Sequence, residues 1–190
     1  MNYGMRESTL AALLLPLAIH ANDASDRKID VEVEVRGDEV IVDVRCFVAA
    51  TPQQAWSVMT DFDGAANFIS NLERSAVLSR TKDMFLVSQK GTMGYGPFSA
   101  TFETVSEIRL KPFEHMQAHM ISGNMKKYEA TTRLTPDGTG TAIVHRAESI
   151  PDIWIPPIIG RLVILHETRE RFEQLLDEIL RRKASGAGND

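Results

Sequence analysis

Residues 47–62 read FVAATPQQAWSVMTDF, and this stretch decides where the main fold begins. Its first residues complete a strand-like run, residues 40–49, in which apolar side chains recur at every second position. Thr51 is a good helix N-cap and Pro52 is favoured at the first helical position, so we predict a helix from Pro52. The Asp-Phe-Asp-Gly sequence that follows ends this helix, and a second short helix is expected through Phe68.

Strand patterns flank this segment on both sides. Upstream, residues 29–36 alternate apolar and charged residues, and Gly37-Asp38 is a two-residue hairpin turn into the next strand. Downstream, strand-like segments are separated by turn signals rich in Gly, Pro and Asp. These segments are 73–80, 84–92, 98–110, 114–122, 126–134 and 140–149. We therefore expect a meander of antiparallel strands.

A long amphipathic helix is predicted from about residue 158 to residue 183. Its apolar residues recur at helical spacing, and Arg and Glu occupy the other face. The stripe consists of Ile158, Leu162, Leu165, Phe172, Leu176 and Ile179. Arg169 lies seven positions from both Leu162 and Leu176 and interrupts the stripe. A buried guanidinium without a partner is costly, so Arg169 either reaches the rim, pairs with a protein carboxylate or meets the acid group of a ligand.

The order of these elements resembles the START-like, or SRPBCC, superfamily. Residues 47–62 look like its opening segment, and Trp-Ile-Pro-Pro at 154–157 before a long helix with Leu175-Leu176 looks like its closing segment. The similarity covers about residues 38–183, and strand 29–36 is additional to the minimal pattern. It implies an α+β helix-grip fold, with a curved antiparallel β-sheet wrapped around a long C-terminal α-helix and two short helices after the first core strand.

The same resemblance implies a function. Members of the superfamily have a deep, largely apolar cavity between the sheet and the long helix. We expect this chain to bind or transport a hydrophobic small molecule there, such as a lipid, an isoprenoid or a polyketide-like compound, without a cofactor. A cyclase- or dehydratase-type enzyme is the alternative, and an envelope protein-interaction module is a further one.

Candidate site residues follow from the expected cavity. His145 could point into it as an acid/base group or a hydrogen-bond donor, or could serve a structural role. His145 and Tyr128 are the acid/base candidates if the protein is an enzyme. The candidates for ligand contact are Arg169, His145, Tyr95, Trp154, Leu165 and Phe172.

Several other functions are disfavoured. His115 and His119 lie four positions apart on a strand, roughly 13 Å along one face, so they cannot share a metal ion, and no metal site is predicted. Cys46 lies within a strand and is expected to be buried rather than reactive. The glycines at 91, 94 and 96 precede no helix, which argues against a phosphate loop and favours a hairpin tip or a cavity lip. A net charge of -5 argues against nucleic-acid binding.

The segment Ile-Pro-Asp-Ile-Trp-Ile-Pro-Pro at 150–157 is unusually apolar for a loop. Ile153, Trp154 and Ile155 either fold back onto the core, form the mouth of the cavity or make transient contact with a membrane or an envelope protein. Trp suits the last role because it is frequent at membrane interfaces and in protein hot spots.

The N-terminal segment indicates export. One positive charge at Arg6 precedes an apolar run, Leu10 to Ile19, and a small residue follows at Ala21. This pattern is typical of a secretory signal peptide, and the run is too short for a membrane-spanning helix. We predict a signal peptide at 1–21, a START-like domain at 22–184 and a polar tail at 185–190, with the mature protein periplasmic or secreted after cleavage near Ala21.

Overall fold

Eight strands and two α-helices make up the described part of the chain, which in this computed structural model comprises residues 27–95, 98–152 and 157–186. The strands are β1 Arg27–Arg36, β2 Glu39–Val48, β3 Leu72–Arg80, β4 Met84–Tyr95, β5 Phe98–Lys111, β6 His115–Gly123, β7 Met125–Asp137 and β8 Gly140–Pro151. The helices are α1 Pro52–Met59 and α2 Pro157–Ala184, with a 3-10 turn at Ala65–Asn67.

All eight strands belong to one sheet in the order β1-β2-β8-β7-β6-β5-β4-β3. Every neighbouring pair is antiparallel, from β1 and β2 at one edge to β4 and β3 at the other. Register shifts interrupt the β3–β4 and β5–β6 pairings. Such irregularities bend strands, and the curved sheet wraps around α2. The expected α+β helix-grip fold is therefore confirmed.

The predicted elements are present, with strand ends displaced by at most three residues. The largest differences are at the ends of β4 and β7, which each extend three residues beyond the predicted strand; in β4, Gly94 and Tyr95 pair with Ser99 and Phe98 of β5. The second helix is only the 3-10 turn. A run of three residues is too short to form more than one turn, and it ends at Asn67 with Phe68 as its C-cap.

Local sequence signals act as expected at the first hairpin and at α1. Gly37 has φ of 65°, and a glycine at the first central position of a two-residue turn accepts this conformation without strain. At the start of α1, Gln54 N–H donates to Thr51 Oγ1 at 3.2 Å, and Thr51 N–H donates to Gln54 Oε1 at 3.0 Å. This reciprocal capping box fixes where the helix begins.

The core lies between the inner face of the sheet and one face of α2. Phe172, Leu176 and Ile179 are buried there, as the apolar stripe predicted. Leu162 is 58% exposed, so its assignment to the buried stripe was wrong. Ile164 occupies the buried face in that part of the helix instead. The side chain of Ile158 lies outside the described part of the structure.

The C-terminal end of α2 is attached to the segment after α1 by charged side chains. Arg182 donates to Asp61 at 2.7 Å and to Glu178 at 2.7 Å, and its guanidinium lies 5.5 Å from the ring centroid of Phe68. Hydrogen bonds from Arg181 and Arg182 lower the pKa of Glu178 to about 2. These contacts hold α2 across the concave side of the sheet. None of the helices in the described ranges is both long and apolar enough to cross a membrane.

Candidate functional site

A cavity of about 200 Å³ lies between the inner face of the sheet, the segment after α1 and α2. It exists because small side chains occupy inner positions of three central strands, at Ser106, Ala118 and Ala130, where the sheet therefore cannot close-pack against the helix. Most of the remaining lining is apolar. These side chains are Val58, Met59, Phe62, Ala65, Phe68, Ile69, Leu72, Ile108, Met116, Phe172 and Leu175.

A few polar side chains interrupt this apolar lining. Besides Ser106, they are Asp61, Gln89, Tyr128, Thr132, His145 and Arg171. Tyr128 and Thr132 share the inner face of β7 because side chains on a strand alternate between its two faces. The antiparallel register sets His145 of β8 directly opposite Thr132. The strand pairing thus brings polar residues from distant sequence positions to one wall.

His145 is held in place and kept neutral. Its Nδ1 lies 2.9 Å from Thr132 Oγ1, a hydrogen bond across the two strands, and its ring centroid lies 5.3 Å from that of Phe172. Burial, together with a smaller effect of the positive charge of Arg171, lowers the pKa of His145 from 6.5 to about 4. The imidazole is therefore uncharged at neutral pH, with one ring nitrogen that donates a hydrogen bond and one that accepts a hydrogen bond.

Arg171 enters the cavity from α2. The residue as a whole is partly exposed, but its Nε is buried and has no hydrogen-bond partner among the residues that the structure describes. Its Nη2 donates to Asn71 Oδ1 at 3.4 Å, and its guanidinium lies 5.8 Å from the ring centroid of Phe102. Burial lowers the pKa of Arg171, while Tyr128 and Glu167 act in the opposite direction.

Tyr128 lies on the opposite wall from Arg171. Burial raises the pKa of its phenol, and the charge of Arg171 partly offsets this effect. The phenol is therefore protonated at neutral pH and can donate a hydrogen bond. The cavity thus presents a cationic group, a neutral imidazole and a neutral phenol.

Glu167 supports the end of the cavity near Arg171. It is buried, with 9% exposure, and its two oxygens accept hydrogen bonds from Asn71 Nδ2 at 3.0 Å and from the Gly94 N–H at 2.9 Å. Gly91 lies nearby in β4, where an added Cβ would come within 2.1 Å of the Asn71 carbonyl oxygen. The interpretation of Gly91 as part of a hairpin tip was therefore wrong, because its role is close packing inside a strand.

The structure brings together three of the residues singled out from the sequence. His145, Tyr128 and Phe172 all line the cavity. Leu165 is partly buried against the core but does not belong to the described lining. Trp154, with the whole segment 153–156, and the side chain of Tyr95 lie outside the described part of the structure, so the three alternatives for this loop stay predictions.

Arg169 does not lie in the cavity lining. Arg171, two positions later on α2, is the arginine that lines the cavity. The Nη1 of Arg169 donates to the Ile29 carbonyl oxygen at 3.4 Å, at the edge strand β1. Side chains two residues apart on a helix point in directions about 200° apart. Because Arg169 points to β1, Arg171 points to the cavity on the other side of the helix. The sequence could have identified Arg171 as a cavity residue, because it lies at helical spacing from two apolar residues, seven positions after Ile164 and four positions before Leu175.

Two other groups that the sequence raised, Cys46 and His119, do not lie together in the part of the chain that the structure describes. Cys46 is buried on β2, and burial raises the pKa of its thiol to about 12, which keeps it protonated. His119 lies on the outer face of the sheet and pairs with Glu129. Within the described ranges, no group of three or more His, Cys, Asp or Glu side chains could hold a metal ion.

A larger depression of about 410 Å³ lies on the opposite, outer face of the sheet. Its lining is mainly charged, and the charges pair with one another or with neighbours, as in Arg146 with Asp43 at 2.7 Å and Arg109 with Glu107 at 2.8 Å. Charged pairs of this kind, within a strand or across neighbouring strands, are an ordinary feature of a solvated sheet face. The inner cavity is therefore the better candidate for a ligand site.

An antiparallel sheet that wraps around one long helix and encloses an apolar cavity defines the START-like class of proteins. The profile of the family described as "Polyketide cyclase / dehydrase and lipid transport" matches residues 48–174. The chain belongs to this family, as the sequence resemblance predicted. No curated protein matches the chain significantly.

Solved structures show the same fold at low sequence identity. The Zhui aromatase/cyclase from Streptomyces sp. R1128 is 17% identical with a TM-score of 0.64, over 79% of this chain and 99% of that one. A STAR-related lipid transfer protein from Xanthomonas axonopodis is 15% identical with a TM-score of 0.63, over 84% and 96% of the two chains. A START superfamily protein from Mycobacterium smegmatis is 12% identical with a TM-score of 0.61, over 74% and 97%.

Proposed function

We propose that this protein binds an apolar small molecule in the cavity between the sheet and α2, as a carrier or a sensor. The observation that carries the proposal is the lining itself, which is mostly apolar and has a few polar groups on opposite walls. This composition is typical of small-molecule sites, where apolar surface provides affinity and a few polar groups provide orientation. Membership of a family that includes lipid-transport proteins supports the proposal.

The dimensions of the cavity favour a compact ligand or one end of a longer one. A protein cavity of about 150 Å³ lined by apolar side chains accommodates benzene. The 200 Å³ observed here is somewhat larger and fits one or two rings or a short alkyl segment. Each CH₂ group removed from water contributes about 0.8 kcal/mol, so burial alone can hold such a ligand without a covalent bond.

Native mass spectrometry tests this proposal on the protein isolated from its own cells. The bound material is then extracted with organic solvent and identified. A stoichiometric apolar compound would support a carrier or a sensor and would name its ligand class. A protein that is empty after gentle isolation, and that also fails to bind added apolar compounds, would contradict the proposal.

A second candidate function is a cyclase- or dehydratase-type enzyme that acts on a hydrophobic substrate. His145 favours it, because its neutral imidazole is held by Thr132 inside an apolar cavity and has one unprotonated ring nitrogen that can accept a proton from a bound substrate. Tyr128 would then act as the acid, since its phenol is protonated. His145→Ala should abolish turnover and leave substrate binding within a few fold. Turnover that is unchanged in this variant would exclude the role of His145.

We further propose that the protein is exported and works in the periplasm. The basis is the sequence pattern of residues 1–21, which lie outside the described ranges. Mass spectrometry of the protein recovered from the periplasmic fraction would give its first residue. An N-terminus near Asn22 would support export, whereas a full-length protein in the cytosolic fraction would contradict it.

A further inference from the structure

Arg171 is the one charged group in the cavity lining, among the described residues, that has no ion-pair partner within 4 Å. The other charged residue of the lining, Asp61, is paired with Arg182 at 2.7 Å. His145 is neutral at neutral pH and does not compete with Arg171 for an anion. The cavity lining therefore carries one positive charge that no described carboxylate pairs with directly.

The carboxylate of Glu167 does not pair directly with Arg171. It lies close enough to raise the pKa of Arg171, and its two oxygens accept hydrogen bonds from Asn71 and from the backbone N–H of Gly94 rather than from the guanidinium. Asn71 accepts only a long hydrogen bond from Arg171 Nη2, at 3.4 Å, and Nε has no acceptor among the described residues. A buried N–H left without an acceptor, as at Nε, is costly because its lost hydration is not replaced.

The guanidinium is nevertheless held in a defined position. The ring of Phe102 lies beside it at 5.8 Å, and Asn71 contacts one terminal nitrogen. A planar group fixed in this way can donate two parallel hydrogen bonds to an oxyanion, the geometry in which arginine binds carboxylates most strongly. The wall across the cavity adds Tyr128, whose protonated phenol is a further donor.

We propose that the ligand of this cavity is a compact apolar acid, whose carboxylate binds Arg171 while its hydrocarbon body fills the apolar part of the lining. This inference rests on the proposed function and specifies its ligand class. One arginine in a small apolar cavity matches a singly charged group, which is why a carboxylate fits better than a doubly charged phosphate. The ligand completes the hydrogen bonding that the protein leaves open at Arg171.

Three probes that differ only in their polar group test the proposal by isothermal titration calorimetry at neutral pH. They are 2-naphthoate, its neutral isostere 2-naphthamide, and naphthalene. We expect 2-naphthoate to bind the wild-type protein about 10- to 100-fold more tightly than 2-naphthamide, the usual gain from hydrogen bonds to a charged group. Equal binding of the two, or a preference for the amide, would overturn the proposal.

Substitutions assign the preference to one side chain. Arg171→Gln should remove the preference for 2-naphthoate over 2-naphthamide and keep the affinity for 2-naphthamide within a few fold of the wild-type value. Arg171→Lys keeps the positive charge but not the planar group, so it should show only part of the wild-type preference for 2-naphthoate. Arg169→Gln is the matched control, since Arg169 lies two positions away on α2 and outside the cavity lining. A full preference in Arg171→Gln would overturn the proposal.

The probes also separate failure of this inference from failure of the proposed function. If naphthalene or 2-naphthamide binds and 2-naphthoate does not, the proposal of an acidic ligand is wrong, whereas the proposed binding of an apolar small molecule is supported. If none of the three binds the wild-type protein, both this inference and the proposed binding function fail. The wild-type comparison stands even if an Arg171 variant does not fold.

Discussion

Asn71 donates a hydrogen bond from Nδ2 to Oε2 of Glu167 at 3.0 Å, which joins the loop before β3 to the middle of α2. The second oxygen of Glu167 accepts the N–H of Gly94 at 2.9 Å. One buried carboxylate therefore connects three parts of the chain that surround Arg171. This arrangement fixes the end of the cavity where the cationic group lies.

Loss of this carboxylate should destabilise the fold. Glu167→Ala leaves the Asn71 amide and the Gly94 N–H without their acceptor, and it removes the negative charge near Arg171. We expect the free energy of unfolding to fall by about 2–4 kcal/mol, measured by urea denaturation. Glu170→Ala is the matched control on the same helix, because the Glu170 side chain is 45% exposed and pairs with the exposed His166, so its loss should lower the free energy of unfolding by about 1 kcal/mol or less. Equal effects of the two substitutions would refute the role of Glu167.

The buried state of His145 predicts a dependence of stability on pH. The folded-state pKa is about 4 and the unfolded value is 6.5, so the unfolded chain binds more protons between these values. The contribution of neutral His145 to the free energy of unfolding is complete above pH 6.5. It is lost as the pH falls from 6.5 through 4, which lowers the free energy of unfolding by up to about 3 kcal/mol.

This dependence can be assigned to His145 by substitution and by NMR. His145→Gln should reduce the loss of stability between pH 6.5 and pH 4. NMR titration of the wild-type protein should show that the His145 ring stays neutral down to about pH 4. A His145 ring that titrates near 6.5 would show that the group is solvated and would remove this prediction.

The orientation of α2 predicts which leucines matter for stability. Leu176 is fully buried against the sheet, whereas Leu162 on the same helix is 58% exposed. Leu176→Ala should lower the free energy of unfolding by about 2–5 kcal/mol, and Leu162→Ala by about 0.5 kcal/mol or less. Chemical denaturation of the two variants measures both values. A large loss for Leu162→Ala would mean that the helix is rotated from the orientation described.

Strand and helix positions could be predicted from the sequence because local signals specify them directly. The alternation in β1 and the Thr51-Pro52 start of α1 require no knowledge of distant contacts. The cavity residues were harder to predict, because they depend on register and on the rotation of α2. His145 and Tyr128 were found as polar residues on strands. Arg171 was missed, since the stripe was drawn through exposed Leu162 and pointed to Arg169 instead.

The central claim is that the inner cavity is the ligand site, and a cavity-filling substitution tests it most directly. Ala130 lies on the inner face of β7, and the side chain of its neighbour Thr131 points to the outer face. Ala130→Phe adds an aromatic ring inside the cavity, whereas Thr131→Phe adds one on the opposite side of the same strand.

The measurement is the affinity of the two variants and the wild-type protein for 2-naphthamide by calorimetry, with the melting temperature of each. We predict that Ala130→Phe stays folded and binds at least about tenfold more weakly, because its ring occupies the ligand volume. Thr131→Phe should bind like the wild-type protein. Unchanged binding by a folded Ala130→Phe variant would contradict the account.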